Sequence, residues 1–80
     1  MKEGDFISIT DGFGMLLGRV EKIVSFDTAE ILTILQIETD GRLVYGETIL
    51  TYDLRRVEYD SMKVYENYEE FIEENFTLLL

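Results

Sequence analysis

Gly12, Gly14 and Gly18 form a G-x-G-x-x-x-G run, close to the glycine-rich loop that seats a dinucleotide pyrophosphate against a helix N-terminus. The third glycine falls one position late, and no βαβ unit follows to hold phosphates, so the three are read as turn glycines of a β protein. The hydroxyl nucleophiles on offer are Ser8, Ser25 and Ser61. The chain has no histidine to act as their base, and Lys2, Lys22 and Lys63 form no Ser-Lys motif. It has no cysteine either, which removes disulfides, thiol nucleophiles and thiolate metal sites. Carboxylates are plentiful, but a glycosidase needs two that face each other across a cleft, and a one-core domain of 80 residues has little room for one. Asp11-Gly12 and Asp40-Gly41 stand alone, without the alternating aspartates of a calcium loop. The chain is read as a non-enzyme, with no catalytic residue, no cofactor and no metal.

The residues that remain are charged and apolar, and their balance constrains partners. Seventeen acids against seven bases give a formal charge of −10. Such a surface repels nucleic-acid phosphates and anionic lipid, so direct DNA or RNA binding is disfavoured, and the charge serves solubility. Hydrophobic residues make up 46% of the chain, enough for a core in a single domain over residues 1–80. No basic leader precedes an apolar stretch, and no apolar segment approaches the ~18–20 residues of a membrane span. The expectation is a cytoplasmic protein with no membrane association.

Strand periodicity dominates the elements that must carry any site. Residues 5–10 alternate Ile7 and Ile9 with Ser8 and Thr10, a period of two. Residues 11–14 supply turn chemistry. An apolar run from 15 to 26 follows, in which the step from Val20 to Ile23 breaks alternation and predicts a bulge. Residues 27–29 are a polar break. Residues 30–38 and 42–51 are two β-rich runs, and Asp40-Gly41 between them predicts a two-residue type I′ hairpin turn. That register pairs Ile37 with Val44, Leu35 with Gly46, Thr33 with Thr48 and Ile31 with Leu50. Ile31, Leu35, Ile37, Val44 and Leu50 then form a core face, with a bulge at Gly46 as an alternative that shifts some of them.

The opposite hairpin face carries Glu38, Gln36 and Glu47, but also Leu32, Ile34, Leu43, Tyr45 and Ile49. A solvated face is not this apolar, so it asks for a cover. The C-terminal helix, a second copy of the chain or another protein are the three candidates, and a homodimer is one outcome. Residues 55–59 suggest a short strand, with Arg55 and Arg56 on opposite sides. Residues 60–66 suggest an extra strand. Asn67 and Glu70 have capping-box spacing, and from Tyr68 the period becomes helical over 67–77. Tyr68, Phe71, Ile72 and Phe76 share a stripe, and Glu66, Glu69, Glu70, Glu73 and Glu74 lie opposite as a candidate acidic surface. A start near Ser61 is the longer alternative for this helix.

Five or six short antiparallel strands with tight turns and one short amphipathic C-terminal helix predict a mainly β meander that closes on itself. Glu3-Gly4-Asp5 before Ile7 and Ile9, Gly18-x-Val20-x-x-Ile23, Asp40-Gly41 and Asp53-Leu54-Arg55-Arg56-Val57 together resemble the SH3-like small β-barrels, of the Tudor and KOW type, over residues 3–59. The resemblance implies a barrel over 1–59. It departs from the SH3 pattern in having no tryptophan for proline-rich peptides, and from KOW domains in being acidic. A Tudor-like aromatic cage would draw on Phe13, Tyr45, Tyr52 and Tyr59. The function expected is a non-catalytic protein-interaction module, with Leu32, Ile34, Leu43, Tyr45 and Ile49 as its candidate surface. The alternative is an acidic nucleic-acid mimic that occupies the groove of a DNA- or RNA-binding protein. RNA binding by the barrel itself would rest on fold analogy alone.

Overall fold

The computed structural model describes residues 1–12, 14–38, 40–58 and 60–79, with the side chains of residues 47, 57, 58 and 76–79 outside that description. Five antiparallel strands form one sheet: β1 (Phe6–Asp11), β2 (Gly14–Ser25), β3 (Thr28–Glu38), β4 (Leu43–Asp53) and β5 (Ser61–Tyr65). A 3-10 helix, Leu54–Glu58, joins β4 to β5, and helix α1 (Tyr68–Leu79) follows β5. The strand order is β4-β3-β2-β1-β5. The fold is mainly β with one short C-terminal helix, as the periodicity predicts. Among the described residues β4 and β5 share no ladder, so the sheet is open rather than closed as a barrel. No helix among the described residues is long and apolar enough to cross a membrane.

Two apolar layers hold the sheet. On one face, Ile7, Ile9, Val20, Ile31 and Tyr52 are buried together, with Leu16, Ile23, Leu54 and Met62 packed against them. On the other, Leu17, Leu35, Tyr65 and Phe71 are buried, joined by Phe6, Met15, Ile34, Ile37 and Ile72. The second layer exists because α1 lies on it. Phe71 stacks on Phe6 at 5.0 Å between ring centres and meets Tyr65 edge-on at 5.5 Å. Asn67 caps α1 by accepting from the Glu69 amide at 2.7 Å, satisfying one orphan donor of the first turn. The reciprocal Glu70 bond of a capping box is not formed among the described residues. The helix therefore starts after Asn67, and Ser61 begins β5.

The expected bulge in β2 is present, as a register shift between Val20 and Lys22. Three expectations are corrected. The hairpin turn is not the two-residue type I′: the Glu38 amide donates to the Arg42 carbonyl and the Gly41 amide to the Glu38 carbonyl, both at 2.9 Å, so three residues lie between the paired ones. A type I′ turn needs positive φ at both centres, and of the pair only Gly41 has it, at 85°. The register beyond it consequently differs in the upper half, with Ile37 opposite Leu43 and Leu35 opposite Tyr45, while Thr33–Thr48 and Ile31–Leu50 hold.

The second correction is the core face. Against β2, β3 shifts register between Thr33 and Leu35 and leaves Ile34 as an extra residue, while against β4 residues 46 and 47 stand opposite Ile34, which is the alternative bulge at Gly46. The buried Thr33 hydroxyl stabilises this bulge by donating to the Thr48 carbonyl at 2.9 Å and accepting from the Thr48 amide at 3.3 Å. One inserted residue flips all that follow. Ile31 and Leu50 therefore lie on one face, and Leu35 and Ile37 on the other, under α1. Nor are both hairpin surfaces shielded from water: Leu43, Val44, Tyr45, Ile49 and Leu50 of β4 are all exposed.

The third is the segment expected as a strand at 55–59, which is 3-10 helical over Leu54–Glu58; Tyr59 lies outside the described residues. The Asp53 carboxylate accepts from the Arg55 amide at 3.0 Å, turning the chain. Leu54 then packs into the first layer, and its amide donates to the Asp27 carbonyl at 2.8 Å. Local β propensity at Val57 is outweighed by these tertiary contacts.

Candidate interaction surface

The β3 bulge decides which side chains share a surface. Leu32 pairs with Ile49, Leu35 with Tyr45 and Ile37 with Leu43, and each pair faces the α1 side of the sheet. The helix covers this face over β1 and β5, where Phe71 and Tyr65 meet. It leaves the β4 side in water: Tyr45 is 58% exposed, Ile49 53% and Leu43 47%. Leu32 and Ile34 beside them are half-buried. The five residues nominated from sequence, Leu32, Ile34, Leu43, Tyr45 and Ile49, are thus contiguous along two paired strands.

The five nominated glutamates are exposed, but they do not form one uniform ridge. Glu74 is engaged within the molecule, accepting from the Lys63 ammonium at 2.6 Å and from the Tyr65 hydroxyl at 2.8 Å. The ammonium holds the Glu74 carboxyl below its ordinary value. This contact ties α1 to β5. Glu66, Glu69, Glu70 and Glu73 are left on the solvent side.

The aromatic cage is not assembled by the described residues. Tyr52 is buried in the first layer, where burial and then its 2.6 Å bond to the Asp60 carboxylate raise the phenol well above its ordinary value. Tyr45 lies on the α1 side, the opposite face of β4, and Phe13 and Tyr59 fall outside the described residues. No group of three or more carboxylates among the described residues is arranged to hold a metal ion.

The chain matches no protein-family model, no curated protein and no solved structure. Its surfaces have to be read from their own chemistry. Two features were not nominated from sequence. Phe26, at the β2–β3 tip, is 93% exposed; it ends an apolar run, and the tight Ser25–Thr28 pairing puts it at a turn. The other is a shallow groove on the face opposite the apolar surface, lined by side chains from four strands that no sequence spacing brings together.

Arg55 and Arg56 both find carboxylates. Arg56 lies 3.5 Å from the buried Asp60, and exposed Arg55 holds Asp53. Its guanidinium and amide bonds lower the Asp53 carboxyl from 3.8 to about 2. A depressed carboxylate pKa stabilises the fold above the unfolded-state value, and that contribution is lost as pH falls through the folded-state value. The expected window therefore runs from about pH 4 down to about pH 2. Carboxyl NMR titration should place Asp53 near the bottom of this window, and Arg55→Ala should return it toward an ordinary aspartate. An unchanged midpoint in that variant would show that the pair does not hold in solution.

Proposed function

We propose that this protein is a non-catalytic protein-interaction module on a small SH3-like β scaffold, and that the α1-side surface of β4 is where it meets its partner. The observation that carries this reading is the exposed run of Leu43, Tyr45 and Ile49 beside Leu32 and Ile34. Contiguous apolar surface on a small protein marks association sites, and a tyrosine among aliphatic side chains is typical of their centres. The scaffold reading draws its support from the strand order and from the 3-10 helix between the last two strands, which resemble SH3-like barrels. The β2 register shifts add the bends such a curl requires.

Substituting one exposed residue tests the surface without disturbing the core. Ile49→Lys should leave unfolding free energy within about 0.5 kcal/mol of the parent. It should weaken partner retention by about 30-fold, the effect of losing an anchor of about 2 kcal/mol. Immobilised parent and variant proteins, incubated with source-cell extract and compared for retained partner, give the readout, with sedimentation covering the case in which the partner is a second copy. Retention that survives high salt and added DNA sets this reading apart from nucleic-acid mimicry, which screening would abolish. Equal retention by parent and Ile49→Lys would remove the surface from consideration.

A further inference from the structure

The face opposite the proposed surface carries two adjoining cavities. One, of about 180 Å³, is lined by Asp11, Gly14, Met15, Leu16, Gln36, Glu38 and Leu50. The other, of about 270 Å³, is lined chiefly by Ile9, Leu16, Leu50, Tyr52, Asp53 and Arg56. They share Asp11, Leu16 and Leu50, so they are two ends of one groove. Each is below the roughly 300–1,000 Å³ of a small-molecule site. Each is nevertheless large enough for one side chain, since a cavity of about 150 Å³ already admits benzene.

Leu50 and Tyr52, which wall this groove, are residues of β4, the edge of the sheet. β4 runs for 11 residues and contains no proline or lysine, two of the devices that blunt an edge against further pairing, and beyond its bulge it is regularly paired from Thr48 to Asp53. An extended chain added to such an edge gains main-chain hydrogen bonds along its length, while every second side chain faces the same way. Side chains on the Leu50 side of an added strand therefore fall toward the groove. Charge selects among them. The smaller cavity has an apolar floor of Leu16 and Leu50 under the Asp11 and Glu38 carboxylates, and Glu38 forms no ion pair among the described residues. That arrangement fits a long stem ending in a cation. The larger cavity, whose cation Arg56 is held by Asp60, fits an apolar side chain. The net charge of −10 favours a basic chain over a second copy of this one.

We infer that the free edge of β4 accepts an extended segment of another protein as a sixth strand, with a lysine or arginine and an apolar residue two positions apart seated in the groove. The inference deepens the interaction-module reading but uses the other face of β4, so the two fail separately.

The probe is a capped synthetic peptide repeating Thr-Lys-Thr-Val, titrated into the full-length protein and followed by amide NMR. Saturable shifts along β4 are expected, with Leu50→Lys weakened by at least about tenfold. The same peptide with glutamate for lysine, or with alternate amides N-methylated, should not bind. Should Leu50→Lys fail to fold, Glu38→Lys at the rim serves instead: it should lose the lysine peptide and gain the glutamate one. Binding of the N-methylated peptide as tightly as the parent peptide would overturn strand addition. Equal binding of a Gly-Lys repeat would reduce the effect to bulk charge, and an absence of shifts at millimolar peptide would overturn the site altogether.

Discussion

Phe71→Ala should destabilise the protein by about 3–5 kcal/mol, the range for emptying a fully buried aromatic site. Phe71 has no solvent exposure, and its ring is in contact with those of Phe6 and Tyr65. Buried aromatic pairs add roughly 0.5–1.5 kcal/mol beyond the area they bury, and alanine loses two of them. A domain of this size has on the order of 4–12 kcal/mol in total, so the variant should approach its folding threshold. Urea unfolding should show a large fall in midpoint. Phe71→Leu, which refills most of the space, should recover a good part of the lost stability. Because Phe71 is the one helix residue among the described side chains with no exposure at all, a cost below about 1 kcal/mol in the alanine variant would mean that α1 is not docked.

Gly14→Ala should rank next, for a reason that involves backbone alone. Gly14 has φ of 139°, and a Cβ built there would lie 1.9 Å from the Ile37 carbonyl oxygen. The conformation by itself costs an L-residue about 1–3 kcal/mol, and the collision falls on a main chain that cannot rotate away. Relief requires separating β2 from β3 at Gly14–Glu38, the pair that begins their ladder. Gly41 and Gly12 serve as internal controls. Gly41 has φ of 85° but nothing within 4 Å of its would-be Cβ, and Gly12 has open space as well. Thermal unfolding should therefore order the alanine variants Gly14, Gly41, Gly12 from most to least destabilised. A Gly14→Ala protein as stable as Gly12→Ala would show that β2 and β3 do not approach this closely. The groove described above begins at Gly14, so the same variant should also distort its Asp11–Glu38 end.

Much of the secondary structure was legible because the signals are local. Ile7 and Ile9 alternate with hydroxyl residues, Val20 and Ile23 are one position out of phase, and Asn67 precedes a stripe of period 3.6. Each depends on neighbours in the chain, and each element appears where those neighbours put it. Asp40-Gly41 gave a turn for the same reason, but its type depended on three residues fitting between Glu38 and Arg42. Asp53-Leu54-Arg55 shows where local signals fail. The β propensity of the segment is real, yet an aspartate cap and the burial of Leu54 against residues far away in sequence impose a helical turn.

The candidate surface was legible as a set of residues and not as a geometry. Leu32, Ile34, Leu43, Tyr45 and Ile49 are too apolar for a solvated strand face, whatever the register. Their exposure is a matter of what else lies over the sheet. A sequence can show that a face asks for a cover, but the reach of α1 is set by where Phe71 finds Phe6 and Tyr65, on β1 and β5. The β4 half of the face is left outside that reach.

Composition alone determined that thiol and imidazole chemistry are absent and that the surface is strongly acidic, because these depend on which residues are present and not on where they lie. Periodicity determined most of the strands and the helix, because backbone geometry repeats every two or 3.6 residues. Tertiary structure alone decided the bulge at Ile34, the exposure of β4 and the groove over Leu16 and Leu50. Those follow from Thr33 bonding across to Thr48 and from distant strands meeting, contacts whose free energy is realised only once the sheet has formed.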